Sequence, residues 1–492
     1  WFRWRGGQEK LEYYRALLAG VPIAEAIPQT DLYPGLFDLS LALLNEIVPL
    51  GLLVLGHLMS LLSGFLCLAG VWALGRKLGG ARLAFFAALV LLLMPRFYGH
   101  MFFNPKDIPF AAGMTWSLYF LLCWGDHLPR PRWRDSALLG VLIGLTMGLR
   151  VGGMVLFGYV GLLALLTLGQ RARLEGRGGL RPILTDALRL FPHGALMAFA
   201  ALAAVYPWWP YLHDDPLPKL LHAVSAISAY PWSGAIEYMG QIFPAAERPW
   251  HYPFVWLAVT LPDFVYAILL VAGAIAALRL RTERLAVQAD LRWVMVAFAF
   301  GFPLLYVVVR DSTLYDGIRH LLFVLPPLAL ILAALASRSF DFLVARRRAY
   351  GFAFLLLLAA AVLPQLVTLR QIHPYQYTYF NWISGGLPAA DQRFDLEYWG
   401  TSMREASLWL EANTDPDASY RVASSLPFWL ASMFLSDRFE VVRRDEAPHF
   451  YLSLTRLRLD ALMEGEVLHE VRRQGAVFAV VKRVNAESIY TD

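Results

Sequence analysis

Long apolar runs broken by short basic or polar loops dominate the first 370 residues. A helix needs about 20 mostly apolar residues to cross roughly 30 Å of hydrocarbon. Such runs cover roughly 47–75, 83–97, 108–125, 190–210, 262–280, 291–309, 318–336 and 350–369. The run 136–169 is too long for a single crossing, since at about 1.5 Å per residue it would extend roughly 50 Å. Its interruption at Arg150-Val-Gly-Gly153 predicts two short helices instead.

The basic loops decide between one helix and two, because lysine and arginine concentrate on the cytoplasmic side of a membrane. With two helices the chain has about ten spans. All the basic loops then fall on one side: Arg76/Lys77/Arg82, Arg130/Arg132/Arg134, Arg171/Arg173/Arg177/Arg181, Arg279/Arg281/Arg284 and Arg338/Arg346/Arg347/Arg348. With one helix, every basic loop after residue 170 changes sides. The pair is therefore expected, and the outer side receives residues 1–46, 96–107, the tip near 150, 211–261, 310–317 and everything after 370. A cytoplasmic N-terminus would need one more helix before Trp1, so a first span is expected to be missing from this sequence.

After residue 370 the periodicity changes. Ser402–Asn413 has the spacing of an amphipathic helix. Tyr420–Ser424, Phe439–Val442, Phe450–Ser453 and Gly475–Val481 have the texture of short strands. The expected organisation is a mainly α, polytopic membrane domain over 1–369, with 1–46 as its first external loop, followed by a small extracytoplasmic α/β domain over 370–492.

Composition agrees. Of the 492 residues, 58% are hydrophobic and only 16% charged, with a mean hydropathy of +0.49. A soluble domain cannot hide that much apolar surface, so an integral membrane protein is expected and a nucleic-acid partner is not. The 16 Trp and 22 Tyr suit an interfacial aromatic belt or the lining of a sugar site. Cys67 and Cys123 are the only cysteines and both lie in apolar runs, so they build neither a disulfide framework nor a thiolate metal site.

The topology gathers ionisable groups on the outer side: Glu9, Glu12, Asp31 and Asp38; His100, Lys106 and Asp107; Arg150; His213, Asp214, Asp215, Glu237 and Asp263; and Arg310, Asp311, Asp316, Arg319 and His320. Charges at membrane depth are costly, which makes those sharing a cavity functional candidates. Each has a plainer role as well. Asp107, just before Ile108-Pro109, fits a helix N-cap. Lys106 and Arg96 fit snorkelling cations, and Asp31 a turn residue before Tyr33-Pro-Gly35. Arg150, among apolar residues and glycines, calls for an ion pair or a ligand. His213-Asp-Asp215 is a weak metal candidate, and a divalent metal is left open as a cofactor. Arg319-His320 suits a phosphate.

A carboxylate with Lys and Arg donors at the outer surface points to one reaction. A lipid-phosphate-linked sugar keeps its tail in the bilayer and its phosphate against the cations. A carboxylate takes the proton of an acceptor hydroxyl as it attacks the anomeric carbon, and the cations stabilise the departing phosphate.

Several blocks carry a family resemblance: Asp31-Leu-Tyr-Pro-Gly-Leu-Phe-Asp38, Arg96–Phe110, Gly148–Gly153, Tyr206-Pro-Trp-Trp-Pro210, Pro249-Trp-His-Tyr-Pro253, Leu314–His320, His373–Asn381 and Phe394–Gly400. In this order and spacing they resemble the GT-C class of membrane glycosyltransferases, in particular bacterial members related to dolichyl-phosphate-mannose–protein mannosyltransferases (family 39). The resemblance implies a GT-C-type bundle, a polyprenyl-phosphate-sugar donor, an active site on the periplasmic face of a bacterial inner membrane, and inverting transfer. It also implies a catalytic Asp-Glu pair in the first external loop, where this chain has Gln8-Glu9 and no Asp before Asp31. On that basis the catalytic candidates are Glu9, Asp31 and Asp107, and the donor-phosphate ligands Lys106, Arg150, Arg319 and His320. The acceptor is a glycan, lipid or protein. The alternative is a catalytically silent GT-C-fold subunit that scaffolds a complex with partner chains or binds a lipid carrier. A transporter is disfavoured, because the charges cluster at one face and there is no inverted repeat.

Overall fold

The computed structural model describes residues 2–26, 32–176, 180–228, 232–282, 290–425 and 429–484. Asp31 lies outside them. The chain divides into two compact units, the first comprising Trp1–Tyr230, Ile268–Ser312 and His320–Leu355, the second Pro231–Ala267, Thr313–Arg319 and Leu356–Asp492.

Among the described residues, seven helices are long and apolar enough to cross a membrane, or eight if the bent pair Tyr252–Thr260 and Asp263–Arg279 counts as one span. Each of the ten expected runs nevertheless has its own helical segment. Leu52–Leu92 is continuous only in name, because Gly79 and Gly80 leave helical geometry inside it, and Gly80 takes φ 82°, a conformation open to glycine and strained for other residues. The run 136–169 is broken where expected, with helix Trp133–Leu149, a 3-10 turn Val151–Met154 and helix Val155–Leu174. Trp133–Leu149, at 17 residues, falls just short of the crossing length.

Within the first unit, Trp133–Leu149 packs against Leu180–Val205 and Asp107–Gly125, and Leu52–Leu92 against Leu325–Arg346 and Asp107–Gly125. The first of these contacts is close because it is made of small residues. A Cβ on Gly144 would lie 2.2 Å from the Ala201 carbonyl oxygen, and one on Gly140 2.5 Å from that of Met197. Backbones meet this way in membrane helices because small side chains let dispersion act over many atoms at once. Gly144→Val is therefore expected to lower the thermal unfolding midpoint in detergent, at a cost of about 1–3 kcal/mol. Gly161→Val, with open space around it, is the control that leaves the midpoint in place.

The second unit holds a five-stranded sheet in the order Phe439–Val442, Tyr420–Ser424, Phe450–Leu454, Ala476–Val484, Gly465–Arg473. The first three strands are parallel and the last two join antiparallel. Helix Met403–Ala412 packs on this sheet through Met403, Ala406 and Leu410. The strand Gly465–Arg473 is an addition to the sequence reading. Its Glu466, Glu470, Arg472 and Arg473 mask the apolar alternation, as charges on edge strands do.

Conserving its own charges inside, the second unit buries Arg456 between two carboxylates. Its Nε donates to Asp395 Oδ1 at 2.9 Å and a terminal nitrogen lies 2.6 Å from Asp316 Oδ1. Burial pushes the Asp395 carboxyl up to about 6, against the pull of Arg456. A folded-state value above the unfolded one means the folded form holds the proton more tightly. That contribution to stability is full below about pH 4 and is lost as the pH rises through 6. Thermal unfolding across this window should therefore show a pH-dependent component that Asp395→Asn removes.

Candidate active site

The segment Arg96–Phe110 runs from helix Pro95–His100 through a tight turn into helix Asp107–Gly125, both in the first unit. Its organiser is Asn104, which is fully buried. The Asn104 Oδ1 accepts from the backbone N–H of Lys106 at 3.1 Å and of Asp107 at 2.9 Å. Its Nδ2 donates to Asp107 Oδ2 at 3.0 Å and lies 3.2 Å from His100 Nδ1. Asn104 thus satisfies the amides entering the helix, the task expected of Asp107. Asp107 stands at the first helical position, and the residue before it, Lys106, makes no side-chain cap.

Released from capping, the Asp107 carboxylate forms an ion pair with Arg150. The aspartate side chain is 2% exposed and the arginine 21%, so the pair has a buried acid and a cation that still reaches the surface. Arg150 ends helix Trp133–Leu149 in an extended conformation, immediately before the 3-10 turn. Its guanidinium lies 5.7 Å from the Phe110 ring. Gly153 closes that turn by donating its N–H to the Arg150 carbonyl at 2.9 Å. Lys106 Nζ sits 4.3 Å from the centre of the Tyr33 ring. Three expected site residues, Lys106, Asp107 and Arg150, are therefore brought together, with the positive end of a helix beside them.

The remaining candidates are placed differently. Glu9 lies on helix Phe2–Leu18, which packs on Leu36–Ile47, and its carboxylate, half-buried, pairs with the exposed Arg5 at 3.0 Å. Arg319 belongs to the second unit, where it pairs with Asp316 at 2.8 Å and lies 4.6 Å from the Tyr315 ring. His320 follows it in the 3-10 stretch Arg319–Val324 and is half-buried.

The weak metal candidate is otherwise engaged. His213 Nδ1 meets the Tyr13 hydroxyl at 2.6 Å and Nε2 the Tyr206 carbonyl at 2.8 Å. Since a carbonyl only accepts, Nε2 carries the proton and Nδ1 accepts from Tyr13, which leaves no lone pair for a cation. Asp214 pairs with Lys219 at 2.6 Å. Among the described residues, no group of three or more His, Cys, Asp or Glu side chains is placed to hold a metal ion. Burial pushes the Tyr13 hydroxyl up to about 12 and lowers the His213 imidazole below its ordinary value, so both stay neutral near pH 7. Asn104 and the Tyr13–His213 contact were not among the expected site residues. Asn104 had a signal, an amide three residues ahead of an acid at a helix start. The partners Tyr13 and His213 are 200 residues apart and had none.

A bundle of apolar helices, a small α/β region and a turn that carries both acidic and basic groups are the features to set beside known proteins. Residues 41–211, about a third of the chain, match the family model described as dolichyl-phosphate-mannose-protein mannosyltransferase. That segment contains the whole of the Lys106–Asp107–Arg150 cluster. Among solved structures the chain is similar to ArnT from Cupriavidus metallidurans bound to undecaprenyl phosphate, with 15% identity, a TM-score of 0.46, and coverage of 96% of this chain and 93% of that one. It is also similar to the oligosaccharyltransferase AglB from Archaeoglobus fulgidus in complex with an inhibitory peptide and a dolichol-phosphate, with 12% identity, a TM-score of 0.42, and coverage of 86% and 61%. No curated protein matches the sequence.

Proposed function

We propose that the protein transfers a sugar from a polyprenyl-phosphate carrier to an acceptor hydroxyl at the outer, periplasmic side of a bacterial inner membrane. The observation that carries this reading is the Asp107–Arg150 ion pair beside Lys106. The aspartate holds the guanidinium in one orientation while part of its surface still meets solvent. Such a cation can donate to phosphate oxygens without reorganising, which is what stabilises a departing phosphate as its charge grows. Lys106 adds a second charge one residue from the acid, and His320 of the same unit is a further candidate for that phosphate. Attack by the acceptor oxygen on the face opposite the departing phosphate inverts the anomeric centre. With Asp107 committed to Arg150 and Asn104, the base that takes the hydroxyl proton is better sought at Glu9 or Asp31. The description of the matching family model, a dolichyl-phosphate-mannose-dependent enzyme, supports a lipid-linked donor.

The same commitment of Asp107, and of Glu9 to Arg5, favours a second reading, in which the subunit binds the lipid carrier without turnover. One assay separates them. Purified protein is given a panel of polyprenyl-phosphate sugars and a mixed acceptor extract, and transferred label is measured. Lys106→Ala is expected to cut transfer at least about tenfold, with folding checked by its unfolding midpoint. Wild-type protein that binds polyprenyl phosphate but transfers from no donor establishes the non-catalytic reading.

A further inference from the structure

The second unit contains a pocket of about 500 Å³ outside the cluster described above, within the size range of small-molecule sites. Its walls come from the strand Ala235–Tyr238, the segment Asp391–Leu396, the 3-10 stretch Arg456–Leu462 and the two longest sheet strands. Some of the charged groups around it already have partners. Arg456 is held by Asp395 and Asp316. Lys482 Nζ donates to the Asp460 carbonyl at 2.7 Å and the Met463 carbonyl at 3.2 Å, and Glu470 pairs with Arg472.

Among the described residues, the side chains of Glu237, Arg458 and Asp460 make neither a hydrogen bond nor a close ion pair, although Arg458 lies near enough to attract the Glu237 carboxylate. Glu237 is 5% exposed, yet among the described residues its carboxylate has no hydrogen-bond or ion-pair partner, and it lines the pocket. Arg458 lines the same pocket and is exposed, likewise without a side-chain partner among the described residues. It is presented by an unusual backbone, with Leu457 at φ 53° and Arg458 at φ 57°, a left-handed pair that non-glycine residues adopt only under constraint. A buried carboxylate without a donor is costly, and burial duly raises the Glu237 carboxyl above its ordinary range.

What would satisfy both groups at once is a ligand that donates to Glu237 and accepts from Arg458. A simple cation meets the first and is repelled by the second, and a simple anion does the reverse. A hydroxyl does both, so neighbouring hydroxyls on one ring can span an acid and a guanidinium without adding charge. Phe394, Leu396 and Val477 supply an apolar wall for the C–H face of such a ring. A metal ion is a poor fit, since no set of three ligating side chains occurs among the described residues. We infer that this pocket is a saccharide-binding site in the second unit, recognising a neutral sugar through Glu237 and Arg458.

The inference does not rest on the transfer reading, and binding can be measured without turnover. Full-length protein is reconstituted in lipid nanodiscs without sugar-headed detergent, which would compete. Saturation-transfer NMR then follows titration with methyl α-mannopyranoside, methyl β-glucopyranoside and maltose, with empty nanodiscs as blank. Saturable binding of at least one glycoside is expected, weakened about tenfold by Glu237→Gln through loss of a charge-assisted bond. Arg458→Ala, at an exposed position that folding tolerates, is expected to weaken it severalfold, and Arg443→Ala, exposed elsewhere, to leave it unchanged. The assignment is overturned if no glycoside binds saturably, if binding is indifferent to both pocket variants, or if lysine amide binds there in place of sugars.

Discussion

Arg150→Met is expected to reduce sugar transfer at least about 100-fold, the usual result of removing one donor aimed at developing charge. It also takes the guanidinium away from the Asp107 carboxylate, which is 2% exposed. Breaking a buried pair from one side costs on the order of 3 kcal/mol, so the unfolding midpoint should fall as well. The double variant Arg150→Met/Asp107→Asn separates the two effects. Neutralising the acid restores much of the stability, because the penalty was a buried charge that had lost its guanidinium. Transfer stays low, because the cation is still missing. If activity returned along with stability in the double variant, Arg150 would be a structural cation and the phosphate would have to be held elsewhere. The measurements are initial rates with a polyprenyl-phosphate sugar and thermal unfolding of the same preparations.

The second large effect lies in the second unit. Glu397 is 1% exposed and gathers donors from two directions. Its Oε1 accepts from the Tyr377 hydroxyl and from the backbone N–H of Trp399 and Thr401, both at 3.2 Å. Its Oε2 accepts from the Ser402 N–H at 3.3 Å and the Ser402 hydroxyl at 2.6 Å. Glu397→Leu leaves these donors buried with nothing to accept them, at about 1–3 kcal/mol for each group. A loss on the order of 5 kcal/mol is expected even after partial relaxation, comparable to the whole stability of many domains. Limited proteolysis should show the chain after residue 370 cut rapidly in this variant while the apolar helices persist. Glu397→Gln keeps one acceptor oxygen and should fall between the two. A fully protease-resistant Glu397→Leu protein would show that the ring of donors finds water instead.

The helices were legible because hydrophobic length is a strong signal, and the break at Arg150-Val-Gly-Gly153 because a charge and two glycines interrupt it. The strand Gly465–Arg473 was hidden by its own charges. Within the site, Lys106, Asp107 and Arg150 could be nominated from side of membrane and residue type, but their division of labour could not. Whether Asp107 caps a helix or holds an arginine depends on what Asn104 does, and Asn104 only shows its role once the turn is built. The blocks His373–Asn381 and Phe394–Gly400 were recognisable as family-like, yet their tyrosines and acids serve the interior of the second unit: Tyr375 meets Glu405, Tyr377 meets Glu397, Tyr379 meets Asp263. Pattern alone does not tell a conserved-looking acid that binds from one that braces.

Asp395 and Glu397 stand two residues apart and differ in when their partners become available. Apart from Tyr377, 20 residues upstream, the donors to Glu397 lie within five residues, so its ring can close as soon as the segment is made. Asp395 must wait for Arg456, 61 residues downstream, and Asp316 waits longer still. Until the last third of the second unit emerges, these acids have no guanidinium to enclose. The order of synthesis thus imposes an order of assembly, local ring first and charged centre last, and a chain truncated before residue 456 would retain the one and never form the other.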